Sequence, residues 1–287
     1  MEATALSLAG NALGVLMPML QEKLLRIVNV RDDAHFIKDE LESMHAFLIT
    51  NATTWHTVMP NGIQALKALR TLSVVSFKRS QRDLEEMTQL TKLGLKDITG
   101  ENAMAFCATI DKLSDQLHSL KAIWSSDVPL EFLEKVSQPP VHLRSLLLSG
   151  RMCHLPTWFE SLKRVSKLAL AHTELREGEM QVIQYSLPSL NELILFENSY
   201  AELVWSIGEG AFPVLKFLEI DDRIPLKDLI MEEGSAPQLE RIQIKQSTES
   251  EHISLQDKRR ATRLNVNIDR GFSNLNDWRL YQYGYGS

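Results

Sequence analysis

Seven times along this chain an apolar residue is followed three positions later by a second and two positions after that by a third. The copies are Leu69/Leu72/Val74, Leu90/Leu93/Leu95, Leu143/Leu146/Leu148, Val165/Leu168/Leu170, Leu190/Leu193/Leu195, Leu215/Leu218/Ile220 and Leu239/Ile242/Ile244. Most begin 21 to 25 residues after the previous one. Apolar residues three apart also line a helix, but positions i+3 and i+5 share a face only in a strand, where side chains alternate. Each copy therefore predicts a short strand. Turn-forming residues follow several of them, as in Leu148-Ser149-Gly150, Leu195-Phe196-Glu197-Asn198 and Ile220-Asp221-Asp222. One short strand with its connector cannot bury an apolar face alone, whereas stacked copies bury it collectively.

The fold class that follows is α/β: a leucine-rich-repeat solenoid, with a curved parallel sheet over a continuous Leu/Ile/Val core, spanning residues 63–270. The array is irregular. Between Leu95 and Leu143 the spacing doubles, and residues 102–113 there carry Ala103, Phe106, Ile110 and Leu113 at helical spacing after Gly100. A blurred copy, Leu117/Leu120/Ile123, fills the gap with one residue out of phase, and a weak last copy, Leu264/Val266/Ile268, closes the stack. Residues 271–287 place Trp278, Tyr281, Tyr283 and Tyr285 among glycines and read as a cap or tail.

Residues 3–49 follow a different pattern. Leu6, Ala9, Leu13, Leu16, Leu20, Leu24 and Ile27 recur at spacings of three and four, the stripe of a helix that packs on another helix. Ile37, Leu41, Met44 and Leu48 form a second stripe, with Asp32 and Asp33 placed to favour its first turn. Pro18 ends or kinks the first helix. A short N-terminal α-helical hairpin is expected, with a partner seam of Leu6, Leu13, Leu20, Leu24, Ile37, Leu41, Met44 and Leu48. It is too small to stand alone and must dock on the repeats, on a second copy or on another protein. Residues 50–62 form the junction.

Composition excludes several functions. An apolar content of 44% supplies a sizeable core. A net charge of −6 argues against a nucleic-acid binder, which would carry a basic stripe. The one tight basic cluster, Lys258-Arg259-Arg260, reads as a solvated turn before the last strand. Cys107 and Cys153 make neither a disulfide framework nor a metal site; both read as buried thiols in a reducing, cytoplasmic setting. The apolar run from Leu6 to Leu20 begins after Glu2 and is broken by Asn11 and Pro18, so neither an export signal nor a transmembrane segment is expected.

The stretch Met1-Glu2-Ala3-Thr4-Ala5-Leu6-Ser7, followed by Phe36-Ile37-Lys38-Asp39-Glu40-Leu41-Glu42-Ser43-Met44-His45-Ala46-Phe47-Leu48, resembles the start of the coiled-coil domain of cereal disease-resistance proteins, the nucleotide-binding leucine-rich-repeat immune receptors. Pro129-Leu130-Glu131-Phe132-Leu133-Glu134-Lys135-Val136, Leu155-Pro156-Thr157-Trp158-Phe159 and Gly210-Ala211-Phe212-Pro213 resemble the repeat region of the same family. The resemblance implies plant immune recognition of a protein partner: a pathogen effector, a guarded host protein or a full-length receptor. Self-association through the N-terminal helices is a further expectation. The departures matter as much. No glycine is followed by lysine, so GxxxxGK[ST] is absent, and no MHD-like triplet occurs. The family's nucleotide switch therefore maps onto no residue, and the chain reads as a truncated relative without cofactor or nucleotide-binding site. A substrate adaptor for ubiquitin ligation is the alternative, although residues 3–49 do not resemble an F-box; a truncated product without function is another.

No catalytic arrangement stands out. The eight histidines are scattered without HExxH spacing, no GxSxG elbow occurs, and Asp221-Asp222 and Glu232-Glu233 fall where solvated turns are expected. In a repeat of this kind the residues between and beside the phrase positions point to the concave face. Exposed apolar residues Leu147, Ile194, Phe196 and Phe217, rimmed by Lys96, Glu219, Asp221, Gln243 and Lys245, form the candidate protein-binding patch. The N-terminal helices or loops covering this patch are the competing reading. Trp158 reads as a connector residue packed into the core.

Overall fold

The computed structural model describes residues 69–269, apart from 79–83, 85, 125–128, 222–223, 246–252 and 260–263. The N-terminal seam from Leu6 to Leu48, the 50–62 junction and the 271–287 segment lie outside the described residues. In chain order the strands are β1 (Thr71–Ser76), β2 (Lys92–Ile98), β3 (Ser119–Trp124), β4 (Ser145–Ser149), β5 (Lys167–Ala171), β6 (Glu192–Leu195), β7 (Val204–Ile207), β8 (Phe217–Asp221), β9 (Asp228–Met231), β10 (Arg241–Lys245), β11 (Ser254–Asp257) and β12 (Asn265–Asp269). Among the described residues, α1 (Ala103–Leu113) and α2 (Glu177–Ser186) are α-helices that join them. Among the described residues one sheet has nine parallel strands in the order β1-β2-β3-β4-β5-β6-β8-β10-β12. A second sheet, β11-β9-β7, is also parallel.

Every repeated phrase becomes a strand of the long sheet, and the pairing sets its apolar residues in rows. Leu93, Leu120, Leu146, Leu168, Leu193, Leu218, Ile242 and Val266 align in one row. Leu148, Leu170, Leu195, Ile220, Ile244 and Ile268 continue a second row that Ala122 joins. From Leu93 to Ile244 these side chains are almost wholly buried, each contributing about 1.5–3 kcal/mol in removing its surface from water. Val266 and Ile268 keep the pattern but are 38% and 42% exposed, because β12 is the edge strand.

Two departures from the phrase have a local cause. The register slips between Leu72 and Val75, so Val75, one residue later than the phrase anticipates, aligns with Leu95. In the blurred copy it is Ala122 that takes the core position opposite Leu148, and Ile123 pairs with Ser149 on the other face.

The opposite wall of the core changes along the stack. Early repeats use α1 and short 3-10 turns, Leu130–Lys135 and Thr157–Ser161. Helix α1 buries Ala103, Phe106, Ile110 and Leu113, as their spacing predicts. Its Phe106 meets Phe77, Trp124 and Phe132 edge-on at 5.9, 6.5 and 6.2 Å. Trp158 is buried, and its indole N–H donates to the Leu133 carbonyl at 2.7 Å, one repeat back. Later repeats use β7, β9 and β11, with Trp205, Leu229 and Met231 fully buried against the same core.

The basic cluster is not the solvated turn its sequence suggests. Arg259 is buried; its guanidinium donates to both carboxylate oxygens of Asp257 at 2.8 and 2.9 Å and to the Ala236 carbonyl at 3.0 Å. Lys258 stays in solvent, paired with Glu232 at 2.7 Å, and Arg260 lies outside the described residues. The Arg259 hydrogen bonds hold the Asp257 carboxyl below its usual range, more than burial raises it.

Two predictions follow from this packing. Gly150, with φ +145°, would set a Cβ 2.6 Å from the Trp124 Cβ, whereas one on Gly178 in α2 meets nothing within 4 Å. Gly150→Ala should lower the urea-unfolding free energy by about 1–3 kcal/mol, and Gly178→Ala should raise it by about 0.5–1 kcal/mol. The second concerns pH. A carboxyl held low in the folded state adds stability above its unfolded pKa of about 3.9 and loses it as the pH falls through the folded value. Asp257→Asn should therefore cost about 1 kcal/mol at neutral pH, and the gap to the parent chain should close in urea titrations as the pH falls below the unfolded carboxyl value of about 3.9.

Candidate protein-recognition face

Each strand of the long sheet turns one set of side chains to the core and the alternate set to the opposite face. Register arranges this second face in three rows. The first holds Lys92, Ser119, Ser145, Lys167, Glu192, Phe217 and Arg241. The second holds Gly94, Lys121, Leu147, Ala169, Ile194, Glu219 and Gln243. The third holds Ile123, Ser149 and Ala171, then Asp221 and Lys245, with Phe196 directly after β6; Lys96 lies within β2, two residues after Gly94 and so on the same side. All nine residues of the expected patch thus lie on one face. They form a strip across the stack from β2 to β10.

Their exposure differs from the expectation. Phe217, Gln243, Lys96 and Lys245 are partly accessible and Leu147 is half-buried. Ile194 is 0% exposed and Phe196 6%, and Glu219 and Asp221 are at 1% and 2%. Ile194 and Phe196 are therefore not the exposed anchors their positions suggest. They form a second apolar cluster with Ala169, Ala171 and Leu147, separate from the main core. Asp221 is likewise not a solvated turn residue.

Charges on this face are paired between neighbouring strands. Lys167 Nζ lies 2.9 Å from a Glu192 carboxylate oxygen, with both side chains 27% exposed. Lys245 Nζ reaches Glu219 at 2.8 Å, and there the side chains are only 15% and 2% exposed. The Arg241 guanidinium sits 5.0 Å from the Phe217 ring centroid, a cation–π contact between adjacent strands. Lys121 has its amine pulled below the ordinary range, chiefly by burial and secondly by the charge of Lys167. None of Lys92, Lys96, Lys121 or Lys167 is without an interaction partner. The phrase reading missed Lys121 on this face because it took Ile123 rather than Ala122 for the third core position. Choosing the residue two after Leu120 as the core position, whatever its size, would have found it.

This arrangement offers shape and paired charge. Among the described residues no group of three or more His, Cys, Asp or Glu is placed to hold a metal ion. Among them, too, no helix is long and apolar enough to cross a membrane. The two thiols differ. Cys107 is buried, with its Sγ 3.3 Å from the Phe132 carbonyl, and burial pushes its pKa up to about 11. Cys153, expected to be buried, is exposed, because the residues after β4 run along the outside of the stack; a hydrogen bond to Glu131 is the main cause raising its pKa.

A nine-stranded parallel sheet built from repeats of this length defines a solenoid. The family model of the leucine-rich repeat region matches residues 40–280, and the chain belongs to that family. Its curated relatives are plant disease-resistance proteins. It is 28% identical over 173 residues to disease resistance protein RPM1 of Arabidopsis thaliana, a match covering 60% of this chain and 18% of that protein. It is 29% identical over 143 residues to disease resistance protein Pik-2 of Oryza sativa subsp. japonica, covering 46% of this chain and 14% of that protein. A probable disease resistance RPP8-like protein 4 of Arabidopsis thaliana is 26% identical over 167 residues, covering 58% and 18%. The chain thus spans about a fifth or less of the length of the relatives it matches.

Native protein treated with a chromogenic disulfide reagent should release colour from Cys153 alone, and Cys153→Ser should abolish that fast phase. Cys107 should react only after denaturant is added, since thiolate supply controls the rate.

Proposed function

We propose that this chain is a disease-resistance-like recognition protein of the plant cytoplasm, acting by binding another protein through its repeat stack. The observation that carries the proposal is the second face of the nine-stranded sheet: a row of paired charges and accessible aromatic surface held rigidly by a buried core. Rigid presentation lowers the ordering cost of association, and an aromatic under a guanidinium is typical of residues that carry binding energy. The similarity to plant disease-resistance proteins over the repeat region supports the same reading. The partner is a pathogen effector, a guarded host protein or a full-length receptor of the family. Residues 1–49 are taken as the start of a cereal-type coiled-coil domain, and the chain as lacking the nucleotide switch. Recognition would then be uncoupled from signalling, as in a decoy or a dominant-negative regulator.

The proposal is tested by coexpressing the chain in leaves with full-length receptors of the family. The chain should coprecipitate with a receptor or its effector, or should alter the cell-death response. Phe217→Ala with Arg241→Ala should weaken that association by about tenfold or more without changing the unfolding midpoint. Equal binding by the double variant would remove the face from the proposal. Saturable binding of a fluorescent ATP analogue by the purified chain would overturn the absence of a switch.

A further inference from the structure

Charge on the second face of the long sheet is sorted by strand. Among the described residues, the rows hold Lys92, Lys96, Lys121 and Lys167 on β2, β3 and β5, and no aspartate or glutamate from β2 to β5. The acid nearest in sequence, Asp97, falls where the β2–β3 register shifts. From β6 onward the same rows carry Glu192, Glu219 and Asp221. Cations beyond that line are held within the sheet, Lys245 by Glu219 at 2.8 Å and Arg241 against the Phe217 ring. Lys167, at the border, reaches Glu192 at 2.9 Å. A chain with a net charge of −6 thus gathers an excess of positive charge at one end of one face. Like charges so gathered oppose the compact state. Lys121 shows the effect, its amine pulled below the ordinary range by burial and then by Lys167.

We propose, on the reading that this face binds a protein, that β2 to β5 form an acidic-peptide site, where a separate partner chain lays a run of carboxylates across Lys92, Lys96, Lys121 and Lys167. Spacing, residue type and the neighbouring strands each point to it. Lys92 and Lys96 are four residues apart on β2, or about 13 Å. Lys92 and Lys167 share a row three strands apart, or about 14 Å. A field of that size matches several charges spaced along a segment better than one compact anion. An extended segment of about four or five residues crosses it. All four cations are lysines, point charges on flexible stems that accept carboxylates from any direction; the planar arginine fork that suits a single phosphate is not among them. Glu192, Glu219 and Asp221 repel the same segment from β6 and β8 and so confine it to the lysine end, since opposed like charges set register as firmly as attraction does.

Fluorescence anisotropy of a fluorescein-labelled oligoglutamate peptide with the intact chain at low salt tests the site. The parent chain should bind the peptide, and added salt should release it. Lys92→Gln with Lys121→Gln should weaken binding by about tenfold. Lys163→Gln with Lys258→Gln removes two exposed lysines outside these rows and should change it by no more than about twofold. Unfolding midpoints of both variants establish that the stack is intact. No binding by the parent chain, equal loss in the two variants, or displacement of the label by less inorganic tripolyphosphate than unlabelled oligoglutamate would overturn the proposal. Coprecipitation from leaves separates the site from recognition as such. A partner retained equally by the parent chain and by the Lys92→Gln, Lys121→Gln variant would overturn the acidic-peptide site and leave recognition standing. Failure to retain any partner would count against recognition, while the anisotropy still decides the site.

Discussion

A parallel ladder that runs without a slip from β3 to β12 holds Leu120, Leu146, Leu168, Leu193, Leu218 and Ile242 in one buried row. Side chains alternate with a period of two, so a slip of one residue in any strand would turn that strand's leucines to the solvent face. Register and burial therefore enforce one another along the stack. The two slips that do occur lie early, between β1 and β2 and late in the β2–β3 pairing. At the far end the rule still holds geometrically but loses its reward: Val266 and Ile268 keep their rows while lying open on an edge strand.

Polar groups reinforce the same spacing. The Asp111 carboxylate accepts from the Ser137 and Gln138 amides at 2.8 Å, and Glu134 accepts from the Thr157 amide at 2.9 Å. The Thr173 hydroxyl donates to Ser199, and the Gln184 amide to Ser206. Each of these bonds joins positions 22 to 27 residues apart, one repeat to the next. In each of these five bonds the partner belongs to the neighbouring repeat. Stability in such a stack is a sum of neighbour interfaces, so a rigid face results from many local bonds with no single long-range tie.

The strands were legible in the sequence because the signal that defines them is repeated: an ambiguous triplet becomes firm when it recurs in phase. Helix α1 was legible for the same reason, its four apolar residues keeping a period near 3.6. The blurred copy was read one residue late because Ile123 is larger than Ala122, and pattern reading weighs size while the ladder weighs position. Strands β7, β9 and β11 went unread because each is short, Trp205 and Ser206 give no clear alternation, and their pairing depends on strands a whole repeat away. Arg259 was misjudged because charge in a run of like residues says nothing of the carboxylate that a turn brings beneath it.

For the recognition face, the sequence by itself determined which residues share a side of the sheet, since alternation along a strand is a local property of the backbone. Alternation sets Lys96, Leu147, Ile194, Phe196, Phe217, Glu219, Asp221, Gln243 and Lys245 on the side of the sheet away from the leucine rows. Which of them meet water was decided only by tertiary structure. Exposure depends on which side chains the neighbouring strands set beside each residue, and those strands lie a whole repeat away in the chain. The same repeated phrase thus fixed the stack, while packing decided that Ile194 and Phe196 are buried and that Phe217 and Arg241 stay at least partly accessible.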